Sequence, residues 1–163
     1  MRKLILILAA FISGCGWTPM YSTSDSKQQL EYSVHIAPIP GTDGVDLRNR
    51  LRAELNPFGE PADPAYKLEV KLSKSDILKG IQRTGDATWQ EIRITASWRL
   101  IDSANNRAVL SGSDTVSESF TFVQNLVAAD SAASTAMQSA IRILSGKIST
   151  RVKVFAMKDG SGS

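Results

Sequence analysis

The sequence predicts an α+β fold: a two-layer sandwich in the order strand, helix, three strands, helix, with a mostly antiparallel sheet and both helices on one of its faces. Three observations predict it. Apolar and polar residues alternate with period two through 66–73 and 91–100, which marks strands buried on one side only. Leucines recur at helical spacing between residues 44 and 56, and an Ala-rich apolar stripe runs through 125–155. Strands with one polar face need helices to cover the other.

The elements follow in chain order. Met1-Arg2-Lys3 is a short basic start, and Leu4 to Ile12 is an apolar run much shorter than the roughly 20 residues that span a bilayer. It reads as a signal peptide over 1–14. The run ends in Ile12-Ser13-Gly14-Cys15, which resembles a lipobox, so Cys15 is the expected lipidation site. Residues 15–31 form a polar, Ser-rich tether, residues 32–156 a folded domain, and 157–163 a flexible tail.

Within the domain, residues 32–40 read as a first strand, with Val34, Ile36 and Pro38 on one face and His35 and Ala37 on the other. Pro38 and Pro40 stop it. Residues 44–56 read as a helix whose buried stripe is Val45, Leu47, Leu51 and Leu55. Thr42 or Asp43 is the expected cap, and Pro57 the terminator. Tyr66, Leu68, Val70 and Leu72 form the inner face of the second strand. Ile92, Ile94, Ala96, Trp98 and Leu100 form that of the third, which makes Trp98 a core residue. Ser103-Ala104-Asn105-Asn106 is a tight turn, since Asn tolerates positive φ, and 107–120 returns as an antiparallel partner. The last helix buries Leu126, Ala129, Ala133, Met137, Ala140, Leu144, Ile148 and Val152.

Composition excludes several function classes. The chain has 163 residues, enough for one domain after a leader. Two of its 19 basic residues lie in the leader, leaving 17 against 16 acidic ones, and that near-neutral balance argues against a nucleic-acid partner. One cysteine and one histidine can form neither an intrachain disulfide nor a Cys/His zinc set. Ser111-Gly112-Ser113-Asp114 lacks a nucleophile-elbow pattern, and no glycine-rich phosphate loop is present. No catalytic residues, metal or cofactor are expected, so the chain is not read as an enzyme.

Several segments together resemble the LPS-assembly lipoprotein family LptE, in its alphaproteobacterial form. They are Cys15-Gly16-Trp17-Thr18-Pro19-Met20-Tyr21, Ile36-Ala37-Pro38-Ile39, Leu47-Arg48-Asn49-Arg50-Leu51, Pro61-Ala62-Asp63-Pro64-Ala65-Tyr66-Lys67-Leu68, Gly80-Ile81-Gln82-Arg83, Ala96-Ser97-Trp98-Arg99-Leu100-Ile101-Asp102 and the Ala-rich final helix. No segment is specific alone, but their order and spacing are. The resemblance implies an outer-membrane lipoprotein on the periplasmic face, held by acyl chains on Cys15. It implies an LptD-like β-barrel as partner and a part in lipopolysaccharide assembly. Gly16, rather than Asp, after the cysteine resembles an outer-membrane sorting address.

The same resemblance directs attention to cations. Lys67, Lys71, Lys74, Lys79 and Arg83 cluster with only Glu69 and Asp76 among them, and Arg93 and Arg99 share the polar face of the next strand. Lipopolysaccharide carries phosphates and carboxylates, which Arg and Lys bind. Arg83 and Arg93, then Lys79 and Lys74, are the candidate lipopolysaccharide-binding residues. Trp17, Tyr21 and Trp89 are candidate contacts to the partner or the membrane interface. Two other readings compete: a structural periplasmic lipoprotein binding peptidoglycan or another outer-membrane protein, and a tethered hydrolase, for which no catalytic set is offered.

Overall fold

A computed structural model describes residues 33–81, 87–121 and 126–160. The leader, Cys15, Trp17, Tyr21 and Arg83 lie outside the described residues. The order is β1 (Val34–Ile36), α1 (Thr42–Leu55), β2 (Tyr66–Ile81), β3 (Ala87–Asp102), β4 (Arg107–Thr121) and α2 (Leu126–Gly160). The strands form one open sheet in the order β1-β2-β3-β4. β1 runs parallel to β2, and the other pairs are antiparallel. The architecture is therefore α+β with a mixed sheet, in the expected element order.

Alternation sets which side of the sheet is covered. Leu68 and Val70 of β2, Ile92, Ile94, Ala96, Trp98 and Leu100 of β3, and Val116 of β4 are buried. They meet Leu47, Leu51 and Leu55 of α1 and Met137, Ala140, Ile141, Leu144, Ile148 and Val152 of α2 in one core. Each Leu, Ile, Val or Met among them, where fully buried, contributes about 1.5–3 kcal/mol through removal from water. The edge-on rings of Tyr66 and Phe155, 5.9 Å apart, join the C-terminal part of α2 to the start of β2.

Four local expectations differ from the structure. β1 is shorter than 32–40, and Pro38 is exposed while Ile39 is buried; the two prolines turn the chain out of the sheet before a second face forms. In α1, Gly44 is buried and Val45 exposed, because the inner stripe runs 44, 47, 51, 55 rather than from 45. Neither Thr42 nor Asp43 caps α1: Gly41 holds the N-cap position, with no side-chain cap. β2 and β3 extend well past the alternating runs, pairing from Tyr66↔Asp102 to Ile81↔Ala87. There Lys74, Ser75 and Asp76 hide a strand that backbone pairing maintains.

The β3–β4 turn forms as expected. Asp102 accepts from Ala104 N at 2.8 Å and Asn105 Nδ2 at 2.7 Å, and Asn106 takes φ 55°.

Candidate functional site

Alternation that buries even-numbered residues leaves the odd-numbered ones on an open polar face. Registers bring Glu69 opposite Arg99, Lys71 opposite Ser97, Thr95 opposite Thr115 and Arg93 opposite Ser117. The hydroxyls of Thr95 and Thr115 meet at 3.0 Å, those of Ser97 and Ser113 at 3.5 Å, and Arg93 Nε donates to Ser117 Oγ at 3.2 Å. Glu69 gathers two cations, Lys67 Nζ at 2.9 Å and Arg99 Nη2 at 2.6 Å. The hydrogen bond from Lys67, then that from Arg99, holds the Glu69 carboxyl below its ordinary value, against a smaller opposing effect of burial.

Between these groups lies a shallow depression of about 280 Å³, lined by Glu69, Lys71, Ser97, Arg99, Ser111 and Gly112. Lys71 is exposed, with no ionic partner among the described residues. A face of short hydroxyls and guanidinium and ammonium groups can hydrogen-bond phosphate, carboxylate or sugar oxygens. Among the described residues, no three His, Cys, Asp or Glu are grouped to hold a metal.

The sequence candidates distribute unevenly over this surface. Arg93 lies on the open face, where Nη2 also pairs with Glu91 Oε1 at 2.9 Å. Lys74 is exposed but opposite Ile94, on the strand phase of the helix-covered side. The backbone of Lys79 pairs with that of Trp89; their side chains lie outside the described set, as do Arg83, Trp17, Tyr21 and Cys15 altogether. Lys71 and Arg99 are the cations brought to the depression. Their signal was in the alternation itself, since both stand in phase with Glu69.

Two polar clusters under or beside the core had no sequence signal. On the helix side, Trp98 Nε1 donates to Asp114 Oδ2 at 2.9 Å, and Arg151 Nη2 pairs with Asp114 Oδ1 at 3.0 Å. Trp98 is in the core, as expected. At the α1–α2 seam, the buried hydroxyls of Ser145 and Ser149 both donate to Glu54, the former at 2.8 Å.

A third cluster joins the β1 edge to the loop after α1. His35 Nδ1 donates to Glu60 Oε1 at 2.7 Å, and Arg52 Nη2 pairs with Glu60 Oε2 at 2.6 Å. The hydrogen bond from His35 is the largest cause holding the Glu60 carboxyl below the ordinary 4.5, partly opposed by burial and then aided by Arg52. A carboxyl whose pKa is depressed on folding contributes stability above its unfolded value and loses it as pH falls through the folded one. The contribution of the clasp is therefore fully present above pH 4.5 and is lost progressively as pH falls from there through the lowered folded value. Glu60→Gln is expected to lower the melting temperature slightly at neutral pH. The difference from the parent should shrink in melts taken well below pH 4.5, and an undiminished difference there would contradict this.

Comparison with known proteins places this geometry. The family model described as LptE, lipopolysaccharide-assembly, matches residues 32–152. No curated protein matches the sequence. Among solved structures, a chain described as a lipoprotein from Caulobacter crescentus superposes with a TM-score of 0.63 at 24% identity, covering 84% of this chain and 99% of that one. A minor lipoprotein from Acinetobacter baumannii gives 0.61 at 18% identity, covering 76% and 92%. Lipoprotein B from Nitrosomonas europaea gives 0.59 at 17% identity, covering 76% and 83%. At these identities the likeness shows a shared fold.

Proposed function

The chain belongs to the LptE lipopolysaccharide-assembly family, and from that premise we propose that it is a lipid-anchored outer-membrane subunit that binds an LptD-like β-barrel and helps deliver lipopolysaccharide to the outer leaflet. The family match over residues 32–152 carries this reading. The geometry supports it: an open wedge with one charged, hydroxyl-lined face suits a wide polar barrel lumen. Among the described residues no helix is long and apolar enough to cross a membrane. In this reading residues 1–14 are removed, acyl chains on Cys15 anchor the protein, and residues 15–31 tether the domain. The tether keeps the domain concentrated near its partner without any added contact. Trp17, Tyr21 and Trp89 are proposed contacts to the barrel or the membrane interface.

Purification of the native lipidated protein in mild detergent should bring down a large outer-membrane barrel as its major partner, and depletion should reduce surface lipopolysaccharide. Recovery of peptidoglycan instead, with surface lipopolysaccharide unchanged, would favour a structural lipoprotein.

Lipopolysaccharide contact is assigned first to Arg83 and Arg93 and then to Lys79; Lys74, also a candidate from the sequence, stands in the opposite strand phase from Arg93 and does not share its face. A protein carrying Arg83→Ala and Arg93→Ala is expected to bind lipopolysaccharide at least roughly tenfold more weakly, since losing even one hydrogen bond to a charged group costs about 1.5–3 kcal/mol. Circular dichroism checks that the fold persists, because Arg93 also holds Glu91 and Ser117. Unchanged binding would remove the assignment.

A further inference from the structure

Strand register alone lays out a patterned surface in the middle of the open sheet face. Two cross-strand rows, Lys71–Ser97–Ser113 and Ser73–Thr95–Thr115, lie between the row that pairs Glu69 with Arg99 and the row centred on Arg93. Apart from Lys71, every position in those two rows is a serine or threonine. Rows repeat every two residues, about 6.7 Å, so Arg99 and Arg93 stand about 20 Å apart along β3.

Positive charge gathers at one end of this track. Lys67, Lys71 and Arg99 share the open phase with one carboxylate, Glu69. Lys67 and Arg99 both pair with Glu69, which leaves the charge of Lys71 unanswered among the described residues. Arg99 commits Nε and Nη2 to Glu69, and its Nη1 remains to donate. Lys71 and Arg99 are diagonal neighbours across β2 and β3, a spacing that long side chains bridge, and both line the depression of about 280 Å³. One anionic group seated there meets both cations without displacing the Glu69 pairs. At the other end Arg93 is held by Glu91 and Ser117 and adds no net charge.

The neighbours of this cationic pair decide what carries the anion. Thr95 and Thr115 meet through their hydroxyls, as do Ser97 and Ser113. A hydroxyl has one donor and two acceptor positions, so each pair keeps a donor and several acceptors for a ligand. Sugar hydroxyls match that two-way chemistry. A nucleotide would find no aromatic ring in these rows on which to stack. An acyl chain would find no apolar side chain to cover, and an acidic peptide would leave the hydroxyls to water.

We propose that Lys71 and Arg99 form a subsite for a phosphate borne on a sugar, with the serine and threonine rows taking the adjoining saccharide. The proposal rests on the lipopolysaccharide reading above and deepens it: this face holds the phosphorylated polar part of the molecule and not its acyl chains. It adds Lys71 and Arg99 to the contacts assigned there to Arg83, Arg93 and Lys79.

The test titrates the full-length protein in non-ionic detergent with the phosphorylated oligosaccharide left when lipopolysaccharide is deacylated, a probe with no acyl chain to enter the micelle. Calorimetry should show saturable binding, and removing the phosphates from the probe should weaken it at least about tenfold. Lys71→Gln should weaken binding of the phosphorylated probe as much, with an unchanged thermal melt, because Lys71 has no ionic partner to lose. Lys71→Arg should retain binding, and Arg142→Gln, exposed on α2 in the other layer, should not alter it. Thr95→Val with Ser73→Ala, one row beyond the depression, should weaken the oligosaccharide about threefold or more and leave inorganic pyrophosphate unaffected. No saturation up to about 10 mM probe, or equal affinity for a glutamate peptide of the same charge, would overturn the proposal. Unchanged oligosaccharide binding in Lys71→Gln, with intact lipopolysaccharide still bound, would remove the subsite and spare the functional reading. Oligosaccharide held through Lys71, with surface lipopolysaccharide unaffected by depletion, would support the subsite and remove that reading.

Discussion

Replacing Asp114 by alanine is expected to destabilise the fold by about 2–4 kcal/mol, a large share of the margin of a domain this size. Asp114 is 5% exposed and sits between the Trp98 indole and the Arg151 guanidinium. The two partners respond differently to its loss. Arg151 is about half exposed and regains water. Trp98 is 3% exposed, so its N–H would be left in the core without an acceptor, at a cost of about 1–3 kcal/mol. The ring packs tightly against Gly112, where a Cβ would stand 2.7 Å from Trp98 Cζ2, which limits how far it can swing away. A double-mutant cycle separates the contributions. On a Trp98→Phe background, Asp114→Ala should cost less by about 1–2 kcal/mol in urea unfolding. Additive costs would mean that the indole hydrogen bond contributes nothing.

That cluster also marks where sequence reading stops. Alternation made the covered and open faces legible in β2 and β3, because Leu68, Val70, Ile92 and Ile94 alternate with charged or hydroxyl residues. In β4 the inner phase reads Leu110, Gly112, Asp114, Val116, and a glycine and an acid there look like surface. Asp114 is inside only because Arg151 comes from the far end of α2, a long-range fact that no local pattern carries. Ser145 and Ser149 are similar: they look like exposed helix positions until α1 brings Glu54 to them. In the sequence the cationic cluster reads as one patch, yet strand phase sends Lys71 to the open face and Lys74 to the other. Sequence proximity does not separate the two sides of a strand, whereas counting in twos does.

Gly44→Val and Val45→Ser should invert the effects that residue character alone suggests. Valine at position 45 fits a leucine stripe by hydrophobicity, but it is 53% exposed. Its loss should change stability by no more than about 0.5 kcal/mol, as at other surface positions. Gly44 looks like a helix breaker, yet it is buried where α1 passes the segment after β1. A Cβ there would lie 2.6 Å from Ile39 O and 2.8 Å from Ile39 Cγ2. The first of these is backbone, so the strain cannot be relieved by a rotamer change. Ile39 is itself 4% exposed, and Arg48 Nε holds the nearby Ile36 carbonyl at 3.0 Å, which limits how far the segment can retreat. Gly44→Val should therefore cost about 2–3 kcal/mol through overpacking, more than any gain in helix propensity over glycine, which is under about 1 kcal/mol. Paired urea melts of the two variants decide it: a larger loss in Val45→Ser than in Gly44→Val would mean that α1 is rotated by one residue from the phase described.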